Sequence, residues 1–211
     1  MRAEPSELAV CVLIDYQNIH LTAHDLFAPP GTRVRDSLIH PLAFAERIAE
    51  IRAGRQQIPE QRHTRLQAVK VFRGAPSNQR EPGLYSAAQR QSAMWSRDPR
   101  VAVAYRPLRY PRDWGQSWCT DRPREKGIDV LVALELVDQA RAGTYDIVIL
   151  ASHDTDMEPA IERAFKERRA RVETAGWQGA ASQAAQAECL AYGAGCGGFR
   201  LDARPARLLD A

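Results

Sequence analysis

The sequence lacks the paired cysteines of zinc-binding and redox proteins. Four cysteines occur among 211 residues, and no two of them form a C-x-x-C pair. A zinc ribbon or a redox-active dithiol is therefore not indicated. Each cysteine is interpreted as a packing residue or a free thiol, because cysteine is among the most frequently buried residue types. The four are Cys11, Cys119, Cys189 and Cys196.

Long apolar runs are absent as well. No stretch approaches the roughly 18 uncharged apolar residues that a membrane span requires. The first ten residues, MRAEPSELAV, have neither an apolar signal region nor a small-residue cleavage site. These absences predict a cytoplasmic protein without membrane contact. The composition, 45% hydrophobic and 26% charged residues, is ordinary for one folded domain of this length.

Negative charge is scarce in the middle of the chain. Residues 52–126 contain 16 Lys or Arg and 6 Asp or Glu, a balance of +10, while the rest of the chain balances to −7 and the total is +3. A basic middle section is a candidate binding surface for a polyanion. The alternative is a solvated surface in an arginine-rich protein, because charge without a pattern says little about partners.

Apolar runs that alternate with helical patterns predict the fold. The predicted strands are 8–14, 66–72, 101–105, 147–150 and 171–175, and the predicted helices are 38–53, 84–97, 128–141, 157–168 and 180–192. Such alternation is typical of right-handed βαβ units. We therefore predict an α/β three-layer sandwich with a central, mostly parallel sheet of about five strands. Residues 1–211 are interpreted as one domain, with a core at about 8–176 and a C-terminal helix and tail at 177–211.

Acidic residues stand at the ends of the predicted elements. Asp15 ends the first strand, and Asp154 and Asp156 follow the fourth. Asp129 lies at the start of the helix that leads into the fourth strand. In an open parallel sheet, ligands bind beyond the carboxyl ends of the strands, where the strand order reverses. If strands one and four are neighbours, these carboxylates meet at one edge.

Clustered carboxylates indicate a cation site. Like charges remain ionised together only when a cation or strong hydrogen-bond donors compensate them. Oxygen ligands without Cys or ligating His suit hard ions such as Mg²⁺ or Mn²⁺. A bound ion can lower the pKa of a water molecule and stabilise charge on a phosphoryl oxygen. The alternative for each acid is a local role as a helix cap, a turn residue or a helix N-terminal charge.

Three segments, taken in order, resemble a known family. Residues 15–18, DYQN, resemble the D-x-x-N motif of NYN domains, a branch of the PIN-like nucleases. Residues 126–130, KGIDV, resemble the family's K-G-V-D-V segment. Residues 145–157, YDIVILASHDTDM, resemble its Y-D-x-x-x-L…S-G-D-x-D-F segment. The resemblance covers residues 8–176 and points to the LabA-like branch of the family.

The resemblance implies an activity and a set of site residues. The implied activity is metal-dependent hydrolysis of RNA phosphodiester bonds on a PIN-like fold, with Mg²⁺ or Mn²⁺ as the cofactor. The implied metal ligands are Asp15, Asp129, Asp154 and Asp156. Asn18 corresponds to the polar partner in the motif and is interpreted as a catalytic residue that orients a carboxylate or the substrate.

The sequence departs from the family pattern in three places. His153 stands where the family usually has Gly, and Met157 stands where it usually has Phe. Residues 191–194, AYGA, offer no counterpart to the late Asp near the family's C-terminal strand. These departures motivate an alternative, a catalytically weak or inactive NYN-fold module that binds RNA or protein. A second alternative is a phosphohydrolase of a small phosphate ester.

The segment 105–126 interleaves cations with aromatic residues. Arginines can hold phosphates, and exposed aromatic rings can stack bases at about 1–3 kcal/mol each. The segment also directly precedes Asp129, so it could deliver an RNA strand to the acidic edge. The predicted RNA-binding residues are Arg106, Arg109, Arg112, Trp114, Trp118, Arg122, Arg124 and Lys126. The alternative is a loop whose tryptophans pack onto the body or form a homodimer interface.

Overall fold

The computed structural model describes residues 7–55, 64–177 and 197–201. The strands are β1 (Leu8–Asp15), β2 (Thr64–Ala75), β3 (Val101–Pro107), β4 (Ile147–Ala151), β5 (Arg171–Trp177) and β6 (Gly197–Leu201). The helices are α1 (Tyr16–Phe27), α2 (Pro41–Arg55), α3 (Pro82–Trp95), α4 (Ile128–Ala142) and α5 (Glu158–Glu167). Among these described helices, none combines the length and apolar character needed to cross a membrane.

The strands of the described residues form one parallel sheet in the order β3-β2-β1-β4-β5-β6. The chain builds outward from β1 to β3 and then returns to the other side of β1 as β4. The strand order therefore reverses between β1 and β4, the place where open α/β sheets bind ligands. The predicted α/β fold with a parallel central sheet is confirmed, and the first and fourth strands are neighbours.

The apolar run of β1 is buried on both faces of the sheet. Val10, Val12 and Ile14 belong to a core that includes residues of α1 and α2. Cys11 and Leu13 belong to a second core that includes residues of α4 and α5. Burying one aliphatic side chain contributes roughly 1.5–3 kcal/mol, so this run fixes β1 in the middle of the sheet. Its position also fixes the place of Asp15 at the carboxyl edge.

Two predictions of elements need correction. The helix predicted at 38–53 begins at Pro41, because proline suits the first helical turn and disfavours a helical residue before it. Strand β6 lies in the segment 177–211, which was interpreted as helix and tail, and it brings the sheet to six strands. Its glycines, Gly197 and Gly198, obscured the strand pattern because glycine is a weak strand former. The predicted helix 180–192 lies outside the described residues.

A buried ion pair ties α2 to β5. Arg52 donates from Nε and Nη2 to the two carboxylate oxygens of Glu173, at 2.9 and 3.0 Å. The two side chains are 1% and 0% exposed. Arg171 places a second cation 2.7 Å from Glu173 Oε1. A buried charge is costly unless its partner stays in place, so this pair makes the docking of α2 on the sheet specific.

Removing the arginine from this pair should destabilise the fold strongly. Arg52→Met is expected to lower the free energy of unfolding by about 3–5 kcal/mol, because Glu173 then keeps a buried charge without its bidentate partner. Urea unfolding followed by circular dichroism measures the change. Arg52→Met/Glu173→Met removes both charges and should recover much of the loss. A single variant as stable as the parent would contradict the prediction.

Candidate active site

Asp15 is the buried carboxylate at the point where the strand order reverses. It ends β1 and caps α1, where its Oδ1 accepts a long 3.4 Å hydrogen bond from the Asn18 backbone N–H. Its Oδ2 accepts a hydrogen bond of 3.3 Å from Ser152 Oγ. Burial raises the pKa of Asp15 to about 6, and the charges of Asp154 and Asp129 add to the rise. Asp15 therefore acts in part as the N-cap of α1, but its two hydrogen bonds are long and leave its buried charge poorly compensated.

The turn after β4 is organised around Ser152. This hydroxyl donates to Asp15 and accepts the Asp154 backbone N–H at 3.1 Å. The Asp154 carboxylate in turn accepts the Asp156 backbone N–H at 2.9 Å and caps the short 3₁₀ turn Thr155–Met157. Asp154 is half-buried, whereas Asp156 is exposed. Ser152 was not predicted as a site residue, although it stands within the motif between β4 and Asp154.

Asp129 reaches the same edge from α4. The helix begins after Gly127, whose φ of 75° lies in the left-handed region that favours glycine. Asp129 therefore stands in the first helical turn, where the helix dipole favours an acid. Its side chain is exposed, and its charge contributes to the raised pKa of Asp15. The acids of β1, α4 and the turn after β4 thus share one electrostatic environment.

Glu125 is a further acid at this edge that the sequence did not single out. Its Oε1 accepts the backbone N–H of Gly74, near the end of β2. A Cβ on Gly74 would lie 2.7 Å from Glu125 Cγ, so the approach requires glycine. Burial raises the pKa of Glu125, and the charge of Asp15 raises it further. An acid just before the K-G-I-D segment was a usable signal, since that segment was already placed at this edge.

Asn18 and His153 connect α1, the turn and β5. The His153 backbone N–H donates to Asn18 Oδ1 at 2.7 Å, so Asn18 holds the turn rather than standing free. The Trp177 backbone N–H donates to His153 Nε2 at 2.9 Å. Burial lowers the pKa of His153, so its ring is neutral and can accept this hydrogen bond.

Gly176 makes room for the histidine at position 153. A Cβ on Gly176 would lie 2.7 Å from His153 Cε1. Among the described residues other than glycine, Arg168 alone has a positive φ. His153 therefore has a backbone conformation that does not require glycine. The departure from the family's glycine is therefore accommodated by a second glycine across the turn.

The acidic edge matches a hard cation in donor chemistry. Its side chains offer carboxylate oxygens. Burial raises the pKa of Asp15, and the charges of Asp154 and Asp129 add to the rise, so a bound cation would stabilise the ionised form. Over the ranges that the structure describes, however, no three His, Cys, Asp or Glu side chains are grouped closely enough to hold a metal ion together. The residues thus fit such an ion in charge and ligand type, as a loose set rather than a closed site.

The loop between β3 and α4, together with Arg106 near the end of β3, presents cations to solvent. Arg106, Arg109, Arg112, Arg122, Arg124 and Lys126 are all exposed, and within the described part of the chain none of them has an ion-pair partner. Backbone hydrogen bonds of 2.8 and 2.9 Å join Arg109 to Arg124 and close the base of the loop. These cations are free to bind an anion.

The two tryptophans of this loop differ in environment. Trp118 is exposed, at 69% of its surface. Trp114 is half-buried and packs edge-on against Tyr110, with ring centroids 5.4 Å apart. The Tyr110 hydroxyl donates to Glu81 Oε2 at 2.6 Å and accepts the Ser77 backbone N–H at 2.7 Å. Trp114 therefore helps to anchor the loop on the body, whereas Trp118 is available to stack on a base.

Neutralising Asp15 should stabilise the fold. Its folded pKa is raised above the ordinary value, so stability from this group is lost as pH rises from about 4 through about 6. Asp15→Asn removes that penalty and should raise the free energy of unfolding by about 1–3 kcal/mol at pH 7. Urea unfolding in chelator at pH 7 and pH 4 measures it, and the gain should vanish at pH 4. A variant less stable than the parent at pH 7 would contradict the burial argument.

His153 and Gly176 should be energetically coupled. Gly176→Ala is expected to cost about 1–3 kcal/mol, because its Cβ displaces the imidazole and leaves the Trp177 N–H without an acceptor. In the His153→Gly background the same Cβ has space, so the cost should largely disappear. A double-mutant cycle of unfolding free energies measures the coupling, expected at about 1–2 kcal/mol. Additive effects would show that the two residues do not depend on each other.

The chain was compared with curated proteins, with solved structures and with models of protein families. No curated protein matches the chain significantly. A crystal structure of a protein of unknown function from Vibrio parahaemolyticus matches with a TM-score of 0.47 and 20% sequence identity, over 83% of this chain and 85% of that one. The family model of the NYN domain matches residues 9–192, which is most of the sequence. The chain belongs to the NYN domain family.

Proposed function

We propose that the chain is a metal-dependent ribonuclease. The observation that carries the proposal is the Asp15 carboxylate at the reversal of strand order, with its pKa raised by burial and, to a lesser degree, by the charges of Asp154 and Asp129. A fold gains no stability from such an arrangement, and perturbed acids in a cleft are typical of functional sites. Membership of the NYN family adds support for a nuclease of the PIN-like type.

Asp15, Asp129 and Asp154 would hold a divalent ion such as Mg²⁺ or Mn²⁺, with Asp156 acting through water. When bound, the ion supplies an activated water molecule and charge stabilisation at the phosphoryl group. The chain's own part is orientation. Ser152 aligns Asp15 with the turn, and the Asp156 backbone N–H fixes the Asp154 carboxylate.

The loop between β3 and α4 would bind the RNA. Its five exposed cations, and Arg106 near the end of β3, lack ion-pair partners within the described residues, so phosphates need not displace an existing carboxylate. Trp118 offers an exposed ring for one unstacked base. Both ends of the loop lie at the acidic edge, since it leaves β3 at its carboxyl end and returns at the start of α4. The alternative role of this loop is a homodimer interface.

Replacing the central acids should abolish RNA cleavage. Asp15→Asn and Asp154→Asn are each expected to lower the rate of Mn²⁺-dependent hydrolysis of a labelled single-stranded RNA by about 100-fold or more. Gel electrophoresis of the products measures the rate. Asp138→Asn is the matched control, since Asp138 is an exposed acid on α4 away from its first turn. Undiminished cleavage by the Asp15 and Asp154 variants would remove these residues from the mechanism.

The competing function is a binding module without catalysis. It is favoured by the loose arrangement of the acids, since no ligating group of three is present in the described ranges. Isothermal calorimetry with MnCl₂ separates the two functions. Heat of binding that disappears in Asp15→Asn supports the nuclease, whereas no binding at millimolar Mn²⁺ supports the module. Cleavage of a generic phosphomonoester instead of RNA would support a phosphohydrolase.

A further inference from the structure

Arg73 is a cation beside the acidic edge that neither the motifs nor the basic loop includes. It lies on β2, one residue beyond Phe72, which pairs in register with Asp15 on β1. Its neighbour Gly74 binds Glu125 through the backbone. The sheet therefore fixes the backbone of Arg73 one position beyond Phe72, the residue that pairs with Asp15. Its side chain is half-buried.

The guanidinium of Arg73 rests on a rigid aromatic platform. Its carbon lies 4.8 Å from the centroid of the Tyr16 ring and 5.7 Å from that of Trp95. The two rings lie 4.8 Å apart, and both residues are 2% exposed. The Tyr16 hydroxyl donates to the Ile39 carbonyl at 3.0 Å, which fixes the ring. Stacking on such a platform orients the plane of the guanidinium, and Nη1 donates to Gln91 Oε1.

The charge of Arg73 is not neutralised by a carboxylate. Among the described residues, Arg73 has no ion pair within 4.0 Å, whereas the buried Arg52 has a bidentate one with Glu173. The charge of Arg73 does reach the acidic edge, because it lowers the pKa of Glu125 against the effect of burial. The planar donors that remain are those that bind phosphate.

We propose that Arg73 is a phosphate-binding residue, held on Tyr16 and Trp95 so that it binds a backbone phosphate of the RNA beside the acidic edge. The inference rests on the proposed function and extends its RNA-binding surface from the loop to β2. Because the guanidinium is already oriented, little rotamer entropy is lost when the phosphate binds. The competing role is structural, a cation that only joins α1 to α3.

The test measures RNA binding separately from cleavage. The parent is Asp154→Asn, which is expected to be inactive, and the probe is a fluorescein-labelled oligouridylate of about twenty nucleotides in chelator. Fluorescence anisotropy at several salt concentrations gives the affinity and its salt dependence. Adding Arg73→Met should weaken binding about tenfold at low salt and reduce the slope of log K against log salt by about 0.7, the value for one lost phosphate contact on a single strand.

A matched control removes one positive charge elsewhere. Arg141 lies in the last turn of α4, at the opposite edge of the sheet, and pairs at 3.9 Å with Glu167. Arg141→Met should leave the salt slope unchanged. Arg73→Lys keeps the charge and should retain most of the slope while binding more weakly than the parent, because lysine cannot stack or bind in a planar, bidentate manner.

The outcomes separate this inference from the proposed function. If the parent binds RNA and Arg73→Met leaves both slope and affinity unchanged, Arg73 is structural and the proposed function stands. If Arg73→Met changes only the unfolding free energy, the phosphate-binding role is likewise overturned. If the parent binds no RNA at low salt, both the inference and the RNA substrate fall. A reduced slope with Arg73→Met and an unchanged slope with Arg141→Met support the inference.

Discussion

The hydrogen bond from Ser152 to Asp15 joins the ends of the two central strands, and the candidate site depends on it. It exists because β1 and β4 pair in parallel, which brings their carboxyl ends together at the reversal of strand order. The same hydroxyl accepts the Asp154 N–H, so the shape of the acidic turn follows the position of the buried carboxylate. A charge that opposes folding is thus held in place by one group from α1 and one from the turn after β4.

The sequence was sufficient to predict the fold and much of the acidic edge. Asp15 and Asp154 follow apolar strands, and the rule for parallel sheets places strand ends at one edge without any knowledge of side-chain contacts. Strand β6 was not predicted, because its two glycines hide the strand pattern. Glu125 and Gly74 are 51 residues apart, and their contact depends on how the loop returns to the sheet. Local patterns carry no information about such a contact.

The contacts of His153 also depend on residues that are distant in the sequence. By the family pattern alone, a histidine in place of glycine predicts a disturbed turn. The structure instead places its ring against Gly176 of β5. The next residue, Trp177, lies 24 positions after His153 in the sequence. The two positions together keep the turn closed, because the neutral imidazole accepts a β5 backbone N–H. A residue that departs from a motif can therefore be accommodated by another residue that no motif includes.

The opposite charges of the acidic edge and the basic section are physically linked. Carboxylates repel the phosphates of a nucleic acid, and salt screens distant charges beyond about 8–10 Å, so compensating cations must lie close to the acids. The chain meets this need through its connections. The segment that leaves β3 and returns as α4 carries five exposed cations and leads to Asp129, while Arg106 lies near the end of β3 and Arg73 near the end of β2. Part of the positive charge of residues 52–126, that of Arg73 and of the loop after β3, is therefore carried to the carboxyl edge of the sheet, where β2 and β3 end.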